Sequence, residues 1–237
     1  ATIDIEDEFE LTKITVEMAK GTGVKVIAGA GSNYTAQAIR KAKFNAEAGA
    51  DANLVVTPYY NKTSQRGLVA HFTAIADSVN LPIILYNVPS RTGVNIALDT
   101  YIKLAEPTNI VAEKEASGNI SYTAKLIAEC SDLVDVYSGN DDMIVPVMSL
   151  GGKGVISVLS HVIPKETHMM AQYCLENNFA EATKLQIEYL DLINSLFIEV
   201  NPIPVKEAMN LMGKNAGPCR MPLYPMADQN RDKLRAV

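Results

Sequence analysis

Cysteine is scarce in this chain: its 237 residues hold three, Cys130, Cys174 and Cys219, far apart in the sequence. An odd, scattered set makes neither a disulfide framework nor a zinc cluster, so a reducing compartment, the cytoplasm, is expected. Positive charge is short as well. Lys and Arg number 21 against 27 Asp and Glu, for a net charge of -6. Phosphate recognition normally needs a basic face, which argues against a nucleic-acid partner and for a small-molecule substrate. No apolar run approaches the length of a membrane span, and the chain opens on acidic residues rather than on a basic, apolar signal peptide, so no membrane partner is expected. The Asn-x-Ser/Thr triplets at Asn33, Asn61 and Asn119 then read as incidental. There is no low-complexity linker.

What is present is a core-forming composition, 48% hydrophobic and 20% charged, enough for one sizeable core. Six short apolar runs recur from residue 24 to 160 at intervals of about 20 to 30 residues, each followed by a helical pattern, the βαβα signature of a parallel sheet. They begin at Val24, Ala52, Pro82, Ile110, Leu133 and Gly154. Continuous apolar runs suit strands buried on both faces. A helix, "DIEDEFELTKITVEMAKGTG", opens the chain with Asp4 as its cap. After residue 161 the pattern turns helical, with three helices expected and Asn201-Pro202-Ile203-Pro204 separating the last two. The expected organisation is a β/α region over 1–160 and a last barrel helix with a C-terminal helical extension over 161–237, in one domain.

Open doubly wound sheets and closed barrels share this period. Here every run ends in a polar or glycine-rich stretch: "GAGSN", "TPYYN", "YNVPSRTG", "KEASGN", "SGNDD", "SVLSH". Chemistry spread over all the strand ends favours a (β/α)8 TIM-like barrel with its site on the C-terminal face.

Lys114, in "IVAEKEASG", ends a strand that ought to be buried. Desolvation there favours the neutral amine, a Schiff-base nucleophile; the alternative is a lysine that snorkels out or pairs with Glu113 or Glu115. If Lys114 points into the lumen, strand alternation sends both glutamates to the helix layer. Tyr86 ends another strand, as a proton relay or as a packed ring. Arg91 follows in a Pro-Ser-Arg-Thr-Gly turn, as a carboxylate clamp or as a surface residue. Tyr59 and Tyr60 read as packing or subunit contact more readily than as catalysts. "GAGSN" would need its third fingerprint glycine at Tyr34 and is rejected as a dinucleotide site. His71, His161 and His168 are scattered, so Asp141 and Asp142 are read as helix caps and no metal is expected.

Taken in order, "GAGSN", "TPYYNK", "YNVPSRTG", "KEASGN", "SGNDD", "GVISV" and "NPIPVK" resemble the dihydrodipicolinate synthase family along nearly the whole chain. The resemblance implies a class I aldolase on a (β/α)8 barrel with added C-terminal helices, condensing pyruvate with aspartate semialdehyde on the route to diaminopimelate and lysine. It implies that Lys114 forms the imine with pyruvate, so that no cofactor is needed, and that Tyr86 shuttles protons. Arg91 would bind the carboxylate of aspartate semialdehyde, and Tyr60 would reach into a neighbouring subunit of a homo-oligomer. Gly139 and Ile156 would line the pyruvate pocket. N-acetylneuraminate lyases share the lysine and tyrosine but usually lack the Ser-Arg-Thr turn.

Departures from the family set further expectations. Its first strand, helix and second strand, ending in Gly-Thr-Thr-Gly-Glu, lie before Ala1, so about fifty residues are lacking and six strands stand where the barrel geometry asks for eight. A catalytically weak homologue kept as a binding or assembly protein, or another pyruvate-dependent aldolase, are the rival readings. Glu113 stands where relatives usually carry an aliphatic residue, and an opened architecture that exposes it is expected. At the family's lysine-feedback site Asn33 and Tyr59 match, but Gln37 replaces the acid, and Ile5 and Glu8 stand for histidines. Weak or absent lysine inhibition is expected.

Overall fold

The computed structural model describes residues 2–105 and 109–237; Ala1, which the resemblance sets just past the family's lost motif, lies outside them. Two compact units divide the chain, Ile3–Tyr137 and Ser138–Val237.

The first unit alternates helix and strand: α1 (Ile5–Ala19), β1 (Ile27–Gly29), α2 (Thr35–Ala48), β2 (Ala52–Val56), α3 (Gln65–Ala76), β3 (Ile83–Asn87), the single turn α4 (Pro89–Thr92), α5 (Leu98–Ala105), β4 (Ile110–Glu115), α6 (Ile120–Cys130) and β5 (Asp135–Ser138), whose last residue begins the second unit. Strands β1 to β4 pair in parallel with their neighbours, and the sheet order follows the chain through β5 to a two-residue β6 (Gly154–Val155). The expected βα period is therefore the observed one. The helix layer packs on one face of these strands through Leu68, Phe72, Ile75, Ile83, Leu85 and Leu126, all fully buried.

Local sequence sets the element ends. Ser64 caps α3 by accepting from Gly67 N, and Asn119 caps α6 by accepting from Tyr122 N. Gly49 ends α2 at φ 90°, a left-handed conformation that costs glycine nothing. Asp4 occupies the N-cap position of α1, but its side chain makes no capping bond; the acids of the first turn supply the favourable charge there instead. Buried amides tie α2 to the sheet: Asn45 Nδ2 donates to Asn53 Oδ1 at 2.8 Å and Asn53 Nδ2 to Ala42 O at 3.4 Å.

The second unit is helical, with α7 (Ile144–Ser149), α8 (Pro164–Leu175), α9 (Phe179–Glu188), α10 (Leu190–Ser195), α11 (Ile203–Leu211) and α12 (Asp228–Arg235). Its core gathers Ile144, Leu159, Met170, Ala182, Ile193 and Leu196. The second of the three expected helices is broken at Tyr189, whose φ of -98° and ψ of 10° leave the helical region and separate α9 from α10. The Pro-rich break before α11 falls where expected.

Cys130 and Cys174 are buried and Cys219 is half-buried, all as free thiols. Among the described residues, no helix is long and apolar enough to cross a membrane.

Candidate active site

The ends of β3 and β4 carry the chemistry in the first unit. Register pairs Tyr86 with Lys114 and Asn87 with Glu115. Alternation then holds as expected: Lys114 is half-buried, while Glu113 and Glu115 on either side of it are buried on the opposite face. Lys114 Nζ lies 4.3 Å from the centre of the Tyr86 ring, a cation–π distance. Burial pushes the Tyr86 phenol above its ordinary pKa; the Arg91 guanidinium pulls the other way, and Glu113 adds to the rise. A phenol held protonated is a proton donor rather than a standing base.

Arg91 sits on α4, where Pro89 sets the first turn and Gly93, at φ 70°, ends it. Thr92 Oγ1 steadies this turn, accepting from Thr57 Oγ1 at 3.1 Å and donating to Val88 O at 3.2 Å. A Cβ at Gly93 would stand 2.7 Å from Lys62 Cε, the movable end of an exposed side chain, so the positive φ is what requires glycine there. Tyr86 and Arg91 border one cleft of about 320 Å³, together with Tyr59, Gly31 and the Glu8–Lys41 ion pair, whose charged atoms are 2.7 Å apart. Lys114 stands beside Tyr86 and does not line this cleft. Of the paired tyrosines it is Tyr59 that borders the cleft; Tyr60 is 90% exposed, at φ 67°. Asn33 Nδ2 donates to Tyr59 O and Asn61 Nδ2 donates to Asn33 O, which fastens this loop to the one after β1.

Glu113 corrects one expectation. An exposed acid was anticipated, yet the side chain is fully buried. Neither carboxyl oxygen reaches a partner at hydrogen-bonding geometry, and neither does the buried Tyr101 hydroxyl nearby. Burial, reinforced by the charge of Glu115, holds Glu113 well above the usual carboxylate range, with the nearby Tyr101 hydroxyl and the Asn87 backbone pulling the other way. The helix layer covers this position because α5 brings in Tyr101, itself fully buried.

In the second unit Gly139 and Ile156 belong to segments that are bonded together, Ile156 N donating to Ser138 O at 2.8 Å. Asp141 and Asp142 stand inside the turn that Asn140 begins and do not cap it; Asp141 Oδ2 instead accepts from Val158 N at 3.0 Å and Leu159 N at 2.9 Å, well ahead in the chain. Gln186 braces the same segment by donating to Asp141 O.

The Dihydrodipicolinate synthetase family model matches residues 1–237. The chain belongs to this family. A 4-hydroxy-tetrahydrodipicolinate synthase of Clostridium perfringens is 53% identical over 230 residues, which span 97% of this chain and 79% of that protein. Among solved structures, the dihydrodipicolinate synthase of Aquifex aeolicus superposes with a TM-score of 0.97 at 42% identity, covering 99% of this chain and 80% of its own. The synthase of Cyanidioschyzon merolae, solved with lysine bound, gives 0.96 at 44% identity with the same coverage. These relatives are enzymes, and the family match favours an enzyme over a binding or assembly protein.

Proposed function

We propose that this chain condenses pyruvate with aspartate semialdehyde to 4-hydroxy-tetrahydrodipicolinate, through a Schiff base on Lys114. The observation that carries this reading is the Tyr86–Lys114 pair: an amine at a strand end, 4.3 Å from the ring of a phenol kept protonated by burial. The Lys114 amine attacks the keto carbon of pyruvate and water leaves, with Tyr86 handing over the proton the departing oxygen needs. The resulting iminium draws electrons from the methyl carbon, which loses a proton to the Tyr86 oxygen and attacks the aldehyde carbon of the second substrate; that substrate's own amine then attacks the iminium carbon, closing the ring and releasing Lys114 as the free amine. Arg91 receives that substrate's carboxylate as a bidentate partner. The covalent imine takes the place of any metal or organic cofactor in this scheme.

The same reading makes the parallel sheet part of a (β/α)8 TIM-like barrel. Its six described strands follow one another in chain order, as they do in such a ring. Tyr60, exposed to 90% at a positive φ, is assigned to contact with a second copy in a homo-oligomer. The free thiols suit a cytoplasmic setting.

Borohydride reduction in the presence of pyruvate, read by intact mass, tests the nucleophile. A pyruvyl adduct on the native chain and none on Lys114→Ala is the expected result. Lack of adduct on the native chain, or an undiminished adduct on the variant, would remove the Schiff base. Turnover with aspartate semialdehyde then separates this acceptor from those of other pyruvate-dependent aldolases.

A further inference from the structure

The pairing of Tyr86 with Lys114 is locked one residue further along, on the other face of the sheet. Asn87 is fully buried and Glu115 is 3% exposed, and the two are partners in the strand register. Asn87 Nδ2 donates to Glu115 Oε2 at 2.9 Å and to Asn95 Oδ1 at 2.8 Å, while Asn87 Oδ1 accepts from Ile96 N at 3.2 Å. Glu115 Oε1 accepts from Ser117 N at 2.6 Å, and the backbone of Asn87 accepts from Ala116 N at 2.9 Å. Each polar atom of the two side chains is engaged, and every one of these bonds fastens the end of β3 or β4, or the loop that follows it.

We propose that Glu115 is a positioning residue for the reaction: latched to Asn87, it fixes the ends of β3 and β4 so that the Lys114 amine is presented beside Tyr86. This rests on the Schiff-base reading above. Successive strand residues face opposite sides, so the Glu115 carboxylate does not enter the face that carries Lys114 and acts through the backbone between them. Such an effect is large where a nucleophile must meet a carbonyl, because a misplacement of about 1 Å can cost on the order of 100-fold in rate.

A reciprocal exchange tests it. Glu115→Gln sets an amide donor against the Asn87 amide donor, and Asn87→Asp sets two carboxylates face to face. In the double variant the new amide at 115 donates to the new carboxylate at 87, its oxygen still accepts from Ser117 N, and Asn95 turns its amide so that Nδ2 rather than Oδ1 faces residue 87. The readout is the single-turnover rate of pyruvate adduct formation, trapped with borohydride and counted by mass, at a temperature where each variant is folded by circular dichroism. Each single variant is expected to form the adduct about tenfold more slowly, and the double variant to recover to within about threefold of the native rate. Native rates in folded single variants, with only the melting temperature lowered, would reduce Glu115 to a stability residue and overturn the proposal. A double variant no faster than the slower single would do the same. If one single variant fails to fold, the other single and the pair carry the comparison. A native chain that forms no adduct strikes the Schiff-base reading first, a failure distinct from that of the latch.

Discussion

Lys114 and Tyr86 face each other across adjacent parallel strands, in register, with the lysine nitrogen 4.3 Å from the ring centre. Packing belongs to the ring of Tyr86 and proton transfer to its hydroxyl, which separates the two roles experimentally. Tyr86→Phe keeps the ring and removes the hydroxyl. Its kcat should fall by about 100-fold or more, the usual scale for loss of a general acid or base, while the pyruvate KM stays within about threefold. Steady-state kinetics on the purified variant decide this; an unchanged kcat would take the proton relay away from Tyr86.

Arg91 should act on the second substrate alone. Replacing it by Ala removes a charge-assisted bidentate contact, for which about 1.5–3 kcal/mol, or roughly 10- to 150-fold in the aspartate semialdehyde KM, is the expected loss. Pyruvate adduct formation should proceed at the native rate. If adduct formation falls with the KM effect absent, Arg91 belongs to the pyruvate step.

Glu113 makes stability depend on pH in an unusual direction for a carboxyl group. Its folded-state pKa is raised by burial, so the folded chain keeps a proton that the unfolded chain releases. The contribution is fully present below the ordinary carboxylate pKa and is lost as pH rises through the raised folded value. Glu113→Leu removes the buried acid and should stabilise the chain by about 1–3 kcal/mol at pH 8, with a smaller gain at pH 5. Thermal melts across that range provide the check. A variant less stable than the native chain at pH 8 would show that Glu113 has a satisfying partner in solution.

Lysine should inhibit weakly or not at all. Gln37 stands where the family resemblance calls for an acid, and its Oε1 is already engaged by the Ser32 hydroxyl at 2.7 Å. No carboxylate at that position is offered to the ammonium of free lysine. Activity unchanged at millimolar lysine is the expected result, and strong inhibition would show that another group supplies the charge.

Tyr60 should govern association. Tyr60→Arg places a charge where an exposed ring is proposed to enter a second copy, and sedimentation equilibrium should then report a smaller species than the native chain. An unchanged mass would move the contact elsewhere.

Much of this was legible before any coordinates. The βα period could be read because buried parallel strands leave continuous apolar runs, and Lys114 could be assigned a face because strand alternation is strict. The latch behind it could not be read. Asn87 and Glu115 lie 28 residues apart, and polar residues at strand ends look alike whether they serve substrate or structure. Asp141 reads from sequence as the cap of its own turn, whereas its partners are Val158 and Leu159, which only the fold brings to it. Glu113 misled because the sequence shows an acid without showing the Tyr101 helix that covers it. Between the adjacent Tyr59 and Tyr60, a positive φ at Tyr60 is what separates them, and no residue pattern announces it.

The three thiols also give the molecule a built-in handle. Cys130 and Cys174 are buried, and burial pushes both above the ordinary thiol range, away from the reactive thiolate; Cys219 alone is partly open to solvent. A maleimide dye offered to the folded chain should therefore settle on Cys219, giving a single-colour reporter in the Ser138–Val237 unit without any cysteine being engineered away.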